Sequence, residues 1–479
     1  MYLGLDLGTS GLKALLIDED QSVVASANAS LSVSRPADGW SEQDPAHWIE
    51  ATSSALRDLA QQTPLKAVRA IGLSGQMHGA TLLDATDQIL RPCILWNDTR
   101  AYEEAAQLDA DPRFRKITGN IVFPGFTAPK LDWVRAHEPE TFAQVSKVLL
   151  PKDYLRLWLT GEYVSDMSDA AGTSWLDTGA RAWSDDLLAA THLDGSHMPS
   201  LVEGSAVSGE LRAELAERFG LSSGIPVAGG AGDNAASAIG MGITKPGQAF
   251  LSLGTSGVLF VANEKYLPDP ETALHTFCHA IQDRWHQMGV ILAATDALDW
   301  YGRLVGADAA ELTGELGDLR APGKTIFLPY LGGERTPHND ALVRGAFLNL
   351  DHATDRAAGT RAVLEGVSFA FRDSLEAIRK TGTKVSSVVA VGGGAKSTYW
   401  LTLLASLLNL PISVSRGSAV GAAFGAARLA MIAAGHNLHD VASPPTVEQT
   451  FTPDKNFNDA FETSYNRYRA AYGATRELS

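Results

Sequence analysis

Tyr2-Leu3-Gly4-Leu5-Asp6-Leu7-Gly8-Thr9-Ser10-Gly11-Leu12-Lys13-Ala14-Leu15-Leu16-Ile17 opens the chain as two apolar runs joined by a turn of small residues. Apolar runs of this length flanking a glycine-bounded turn predict a β-hairpin. Glycine allows positive φ and close approach to the backbone, so the N–H groups of Gly8-Thr9-Ser10-Gly11 can form an anion-binding concavity. Asp6 ends the first strand beside it, where a carboxylate can hold Mg²⁺. Taken alone, the same residues are also explained by ordinary turn chemistry.

The chain repeats the pattern. Phe250-Leu251-Ser252-Leu253-Gly254-Thr255-Ser256-Gly257-Val258-Leu259-Phe260-Val261 has the same strand, turn and strand, with Thr255 lying 246 positions after Thr9 in a chain of 479 residues. Self-similarity at half the chain length predicts two domains of one ancestral α/β fold, residues 1–245 and 246–479, each offering a phosphate loop to a shared cleft. The boundary falls near Lys245-Pro246-Gly247. Ser252 stands where the first copy has Asp6, so one half alone presents the acid. No Gly-x-x-x-x-Gly-Lys-Ser/Thr loop occurs, and no Gly-x-Gly-x-x-Gly opens a helix, which disfavours P-loop and dinucleotide folds. Paired hairpins of this kind, one led by Asp, resemble the phosphate motifs of the actin, Hsp70 and sugar kinase superfamily.

Composition sets the outer limits. A chain this long exceeds what one core usually supports. With 45% hydrophobic and 20% charged residues it reads as an ordinary globular protein. The 39 basic and 55 acidic residues leave a formal charge of −16, which argues against nucleic-acid and anionic-membrane partners. An anionic nucleotide must then be held by local donors and metal. Cys93 and Cys278 lack metal-ligand spacing and read as buried thiols in a reducing compartment. Strand-like sequence directly after Met1, and the absence of an apolar run of spanning length, predict a cytoplasmic protein.

Along the first half, Asp18 to Ser22 is a turn, Val23 to Ala29 a third strand, and Asp44-Pro45 the capped start of a helix to about Leu59. Ala70 to Ser74 reads as a buried strand. Three antiparallel strands, a helix and a parallel strand fit a ribonuclease-H-like unit. The stretch Tyr102 to Leu221 is helix-rich and carries Trp133, Trp158, Trp175 and Trp183, which suit either a substrate lid or a core. The second half shows helices near Leu292 to Val305 and Arg361 to Arg379, a strand Val388 to Val391, and a small-residue helix Val420 to Ala434. Past Ser443-Pro444-Pro445 the chain is polar until a final helix from Asn458 to Tyr472.

Four constellations are candidates for chemistry. In Gly229-Gly230-Ala231-Gly232-Asp233-Asn234, Asp233 follows a strand and leads a helix; it is either an N-cap or a base placed to take a proton from an attacking hydroxyl. Gly75-Gln76-Met77-His78-Gly79 offers donors, acceptors and an apolar side chain to a small polyol, with His78 a rival base or a loop histidine satisfied locally. Trp96-Asn97-Asp98-Thr99-Arg100 sets polar groups beside an indole, suited to a sugar ring or to a helix start. Val391-Gly392-Gly393-Gly394-Ala395-Lys396-Ser397 lets a flat purine approach the backbone, or makes a flexible strand-to-helix turn. The ionisable loop Gly333-Glu334-Arg335-Thr336-Pro337-His338-Asn339 has no assigned role and reads as structural.

Taken together in order and spacing, these motifs, with Gly125-Phe126-Thr127-Ala128-Pro129-Lys130-Leu131-Asp132-Trp133-Val134, resemble the FGGY carbohydrate kinase family over nearly the whole chain. The resemblance implies two ribonuclease-H-like domains flanking a catalytic cleft, and ATP-dependent phosphorylation of a sugar. D-xylulose, at its 5-hydroxyl, stands ahead of ribulose, gluconate or glycerol. It implies Asp233 as base, Asp6 with Asp233 at Mg²⁺, and Gln76, Met77, His78, Trp96, Asp98, Asp233 and Asn234 around the sugar. Gly8, Thr9, Ser10, Lys13, Gly254, Thr255 and Ser256 would face ATP phosphates, and Gly393, Gly394 and Ala395 the adenosine. Asn349, where the family usually has Gly, and Ala358-Gly359 depart from its pattern. A nucleotide-switched chaperone would need a peptide-binding domain after the second half, and a sugar-sensing regulator a basic DNA-binding segment; neither is visible. A homodimer is compatible with the sequence, which does not fix the oligomeric state.

Overall fold

The structure, a computed structural model, describes residues 1–415 and 421–478. Among these, each half is built on a seven-stranded sheet. The first sheet runs Val207–Glu210, Pro226–Ala228, Ala70–Gly75, Tyr2–Leu7, Gly11–Ile17, Val23–Ser30, with short Ala231–Gly232 also beside Ala70–Gly75. Tyr2–Leu7 pairs antiparallel with Gly11–Ile17, setting Asp6 opposite Lys13, and parallel with Ala70–Gly75, setting Asp6 beside Ser74. The second sheet runs His275–Cys278, Trp285–Ile291, Gly257–Asn263, Gln248–Leu253, Ser387–Val391, Ile412–Ser415, Val447–Phe451. There Gln248–Leu253 again has an antiparallel hairpin partner, Gly257–Asn263, on one side and a parallel strand, Ser387–Val391, on the other. The repeated stretch folds the same way twice, on the ribonuclease-H-like plan.

Local signals act where expected. Asp44 accepts a hydrogen bond from the Ala46 amide at 2.9 Å and Pro45 opens the helix Pro45–Gln62, one turn longer than the sequence suggested. The tryptophans of the long insertion serve packing. Trp133 and Trp175 lie in a separate apolar core with Phe114 and Leu131, while Trp158 packs edge-on against Phe219 under the first sheet. Cys93 and Cys278 are both buried and unpaired. Among the described residues no helix is long and apolar enough to cross a membrane.

The polar stretch after Ser443 is not all loop. Val447–Phe451 adds an edge strand to Ile412–Ser415, and four of its five residues are exposed, so it carries no apolar pattern to betray it. The two departures from the family pattern have local reasons. Asn349 adopts φ 59°, the left-handed conformation that glycine or asparagine tolerates. A side chain at Gly359 would put its Cβ 2.1 Å from the Tyr301 hydroxyl, which donates to the Arg356 carbonyl at 3.2 Å.

One element of the second half packs on the first. The small-residue helix is Gly421–Ala433 within the described residues, with Val420 outside them. Its Ala423 and Ala427 join the apolar cluster of Tyr2, Leu15 and Ile17. A Cβ at Gly4 would lie 2.0 Å from the Ala423 carbonyl oxygen, and one at Gly72 1.8 Å from that of Ala426. On its other side it crosses helix Asp233–Gly240, where a Cβ at Gly425 would lie 1.8 Å from the Ala236 carbonyl oxygen. Side chains would hold these backbones apart, so glycine and alanine are the residues that permit the contact.

A sign test follows from this crossing. Helix propensity alone makes Gly→Ala stabilising by up to about 1 kcal/mol in a helix interior. Gly425→Ala should instead lower the urea midpoint, by the roughly 1–3 kcal/mol typical of overpacking. Gly473→Ala, in helix Asn458–Thr475 with no heavy atom within 4 Å of the new Cβ, should raise it.

Candidate active site

The parallel strands carry the candidate acids to one edge. Asp6 lies one residue before the end of Tyr2–Leu7, Ser74 lies beside it on Ala70–Gly75, and Ala231 lies beside Ser74 in turn, so Asp6 and Asp233 flank one strand end. Open α/β sheets bind ligands at such carboxyl ends. Burial pushes the Asp6 carboxyl up from its ordinary value, partly offset by the Ser74 hydroxyl and the Lys13 charge. Its Oδ1 is buried without a hydrogen-bond partner among the described residues.

Asp233 is the first residue of its helix, and Gly232, not Asp233, occupies the cap position. Its Oδ1 accepts from the Asn234 amide at 2.7 Å and from Asn234 Nδ2 at 3.0 Å. Burial first, then the charge of Asp6, pushes its pKa up to about 6, against those two hydrogen bonds. A carboxylate tuned close to neutrality is suited to proton transfer.

His78 sits at φ 67° in the loop after Ala70–Gly75. Its carbonyl accepts from Lys130 Nζ at 2.8 Å and Thr127 Oγ1 at 3.1 Å, so the Gly125–Val134 motif clamps this strained residue in place. Lys130 itself is buried, which pulls its pKa down to about 7. The His78 ring donates through Nδ1 to the Gly172 carbonyl at 2.6 Å, leaving Nε2 as acceptor, and stacks on Phe126 at 4.5 Å. Burial pulls its pKa down to about 3. Of the two rival bases, Asp233 therefore has the better matched proton affinity. Met77 is buried and packs on Gly232.

Hydrogen bonds tie the first turn to this loop. The Thr9 hydroxyl donates to Gln76 Oε1 at 2.9 Å and accepts from Trp96 Nε1 at 2.9 Å. Gln76 Nε2 donates to Gln43 Oε1 at 2.9 Å, and Gln43 Nε2 donates to the Thr9 carbonyl at 2.7 Å. Gln76, expected against the sugar, is thus buried with its amide spent on the protein. The Thr9 hydroxyl, expected on phosphate, bonds the side chains of Gln76 and Trp96, while Ser10 is exposed and Gly8 and Lys13 are partly so. Trp96 is half exposed.

Asp98 stands elsewhere. It is 1% exposed, and its carboxylate pairs with the Arg100 guanidinium at 2.7 Å and accepts from the Ser41 amide at 2.6 Å. A carboxylate so engaged has its hydrogen-bonding capacity largely committed to the protein.

In the second half, the Gly254 carbonyl accepts from the Thr295 amide and hydroxyl, both at 2.9 Å, and Thr255 and Ser256 are exposed at the turn. Beside it opens a cavity of about 380 Å³ lined by Thr295, Leu298, Gly393, Gly394, Lys396 and Trp400. That volume falls within the range of small-molecule sites. Ala395 packs toward the core, and Lys396 is among the lining residues.

One group of residues escaped the sequence reading. Lys152 Nζ lies 2.5 Å from Asp153, 3.0 Å from Asp166 and 3.3 Å from Asp169, all fully buried. Burial opposes the lysine charge, yet the three aspartates hold its pKa above the ordinary value. Asp166 accepts from the Ser168 hydroxyl at 2.5 Å, and that hydroxyl accepts from the Gly232 amide at 3.2 Å. Arg156 donates to the Ala228 carbonyl at 2.7 Å and also to that of Gly229. The network therefore holds the turn that delivers Asp233. Its sequence signal was Lys152-Asp153 set inside the apolar run Val148 to Leu159.

The geometry has counterparts of known kind. Residues 1–240 match the FGGY family of carbohydrate kinases, N-terminal domain, and 249–434 its C-terminal domain. The chain is 48% identical over 477 residues to the xylulose kinase of Escherichia coli (strain K12), covering 98% of each. It is 49% identical to that of Klebsiella pneumoniae, covering 95% of each. Among solved structures, one described as a xyloylose kinase from Brucella ovis is 61% identical with a TM-score of 0.98, each chain fully covered. The gluconate kinase of Lactobacillus acidophilus, at 26% identity, has a TM-score of 0.93 over 99% of this chain and 97% of its own. With the two family domains matched in order across most of its length, the chain belongs to the FGGY family of carbohydrate kinases.

Proposed function

We propose that the protein transfers the γ-phosphoryl group of ATP to the 5-hydroxyl of D-xylulose, giving D-xylulose 5-phosphate and ADP. The observation that carries the chemistry is the pair Asp6 and Asp233 at one strand edge, with Asp233 raised to about 6. The choice of sugar rests on the near full-length identity to xylulose kinases. In this reading Asp233 accepts the proton as the sugar oxygen bonds to phosphorus and the bond from phosphorus to the ADP oxygen breaks. Met77, His78 and Asn234 position the sugar, with the exposed Trp96 indole at its rim. Gln76 acts through Thr9, holding the first turn against the sugar loop. The turns Gly8–Gly11 and Gly254–Gly257 offer amides to the phosphates, and the cavity at Gly393 and Gly394 takes the adenosine.

The donor set fits Mg²⁺: Asp6 keeps a buried oxygen without a partner next to a second carboxylate, Asp233. Among the described residues no third His, Cys, Asp or Glu completes a cage, as suits an ion that relies on phosphate oxygens and water. Bound there, it would neutralise charge on the phosphates. The division of the chain near Lys245 is proposed for the two sheets, with helix Gly421–Ala433 shared. Both substrates are soluble metabolites, so the proposed place of action is the cytoplasm.

A panel of D-xylulose, D-ribulose, gluconate and glycerol with ATP tests the substrate. D-xylulose should have the highest kcat/KM, and a different best acceptor would overturn that choice. Asp233→Ala should lower kcat by about 10²–10⁴-fold, the span of general-base catalysis, with ATP affinity retained. A plot of kcat/KM against pH should fall tenfold per unit below about pH 6, where Asp233 takes up its proton. Activity that stays flat down to pH 5 contradicts Asp233 as base. Lys152→Met, which strands buried aspartates, should cost about 3–5 kcal/mol of stability in urea unfolding.

A further inference from the structure

The loop Gly333–Asn339 carries ionisable residues that neither the phosphate sites nor the base account for. It is fixed firmly. Glu334 Oε1 accepts from the Leu292 amide at 3.0 Å and the Arg335 amide at 2.8 Å, while the Thr336 amide donates to the Val290 carbonyl at 3.0 Å. The loop is thereby laced to strand Trp285–Ile291 of the second half, and Arg335 points away from that anchor to the first. Its guanidinium carbon lies 4.5 Å from the ring centroid of Phe123. Phe123 packs on Phe126 at 5.4 Å, and Phe126 is the ring on which His78 stacks. A cation of one half thus rests on the aromatic wall that backs the sugar loop of the other.

Among the described residues no carboxylate forms an ion pair with that cation. The carboxyl that acts on it is Glu334, whose burial pushes its pKa up to about 8, so that it is largely protonated at neutral pH. The side-chain hydrogen bond of Arg335 among the described residues is a long one, 3.4 Å from Nη1 to His275 Nε2. If Nε2 accepts there, the His275 proton sits on Nδ1, and Nδ1 is buried with no partner. A guanidinium has five N–H donors. Unspent donors from Arg335 and His275 therefore gather at one wall, where buried polar groups without acceptors are costly. A polyhydroxylated ligand carries the acceptors they lack.

We propose that Arg335 is a sugar-binding residue supplied by the second half, donating to carbonyl or hydroxyl oxygens of the ketose held beside His78, so that the sugar is gripped from both sides of the cleft. This rests on the sugar site proposed above. His275 supports the grip by holding the guanidinium over Phe123.

Steady-state kinetics of Arg335→Met and Arg335→Lys test it, using the wild-type protein with D-xylulose as reference. Arg335→Met should raise the KM for D-xylulose about 10- to 100-fold, the loss expected for hydrogen bonds from a charged donor. The dissociation constant for ATP should stay within two-fold. Arg335→Lys keeps the charge but loses the planar fork, and should fall between wild type and Arg335→Met. Small-angle scattering gives a second readout: saturating D-xylulose should contract the wild type and leave Arg335→Met unchanged. A sugar KM within two-fold of wild type, or equal losses for sugar and ATP, overturns the proposal. Failure of the wild type itself to phosphorylate D-xylulose would instead strike at the choice of substrate.

Discussion

Helix Asp233–Gly240 and helix Gly421–Ala433 cross with backbone nearly touching backbone, at a point where Gly425 has no room for a Cβ beside the Ala236 carbonyl. The first of these helices begins with the candidate base. The second comes from the other half of the chain and lies across Gly4 and Gly72, on the strands that carry Asp6 and end at Leu7 and Gly75. The seat of the two acids is therefore fixed by an element that both halves share. Bulkier residues at the crossing would separate the helices and move Asp233 relative to the sheet edge. The small-residue run from Gly421 to Ala433 is the sequence expression of that constraint.

Electrostatics then separates the roles of the acids. Both acids are half-buried and desolvation pushes both carboxyls up, but Asp233 has Asn234 to hold one oxygen, whereas Asp6 keeps one oxygen bare among the described residues. The Lys152 network below carries three aspartates against one lysine and Arg156, and its hydrogen bonds end on Gly232 and on the carbonyls before it. Burying such charges costs a great deal unless each is paired. Here the pairing also fixes the backbone of the turn. The overall charge of −16 gives an anionic nucleotide no general attraction, so in the proposed reading the glycine turns, Lys13 and Lys396 carry that task locally.

What could be read from sequence divides by the range of the interaction. The two hairpins, the Asp44 cap and Asp233 at a helix start were legible because turn chemistry and capping depend on residues a few positions apart. The gathering of Gln76, Thr9, Trp96 and Gln43 into one hydrogen-bonded ring was not, since its members lie up to 87 positions apart. The setting of Asp98 was hidden for the same reason. Its neighbours suggested a polar binding loop, but Ser41 and Arg100 hold its carboxylate inside the protein. The strand Val447–Phe451 exists through backbone pairing at a sheet edge, which leaves no apolar alternation to detect. Arg335 was visible as a charged loop residue, but its reach to Phe123 appears only when the halves are folded together.

The central claim is that one cleft brings the acid at position 233, the sugar's terminal hydroxyl and both glycine turns together. A crystal structure of the protein with D-xylulose and a non-hydrolysable ATP analogue tests it most directly. The account predicts a terminal sugar oxygen within about 3.2 Å of the Asp233 carboxylate, in line with the γ-phosphorus, and phosphate oxygens on the turns Gly8–Gly11 and Gly254–Gly257. A sugar bound away from Asp233, or a nucleotide whose phosphates touch neither turn, would contradict it.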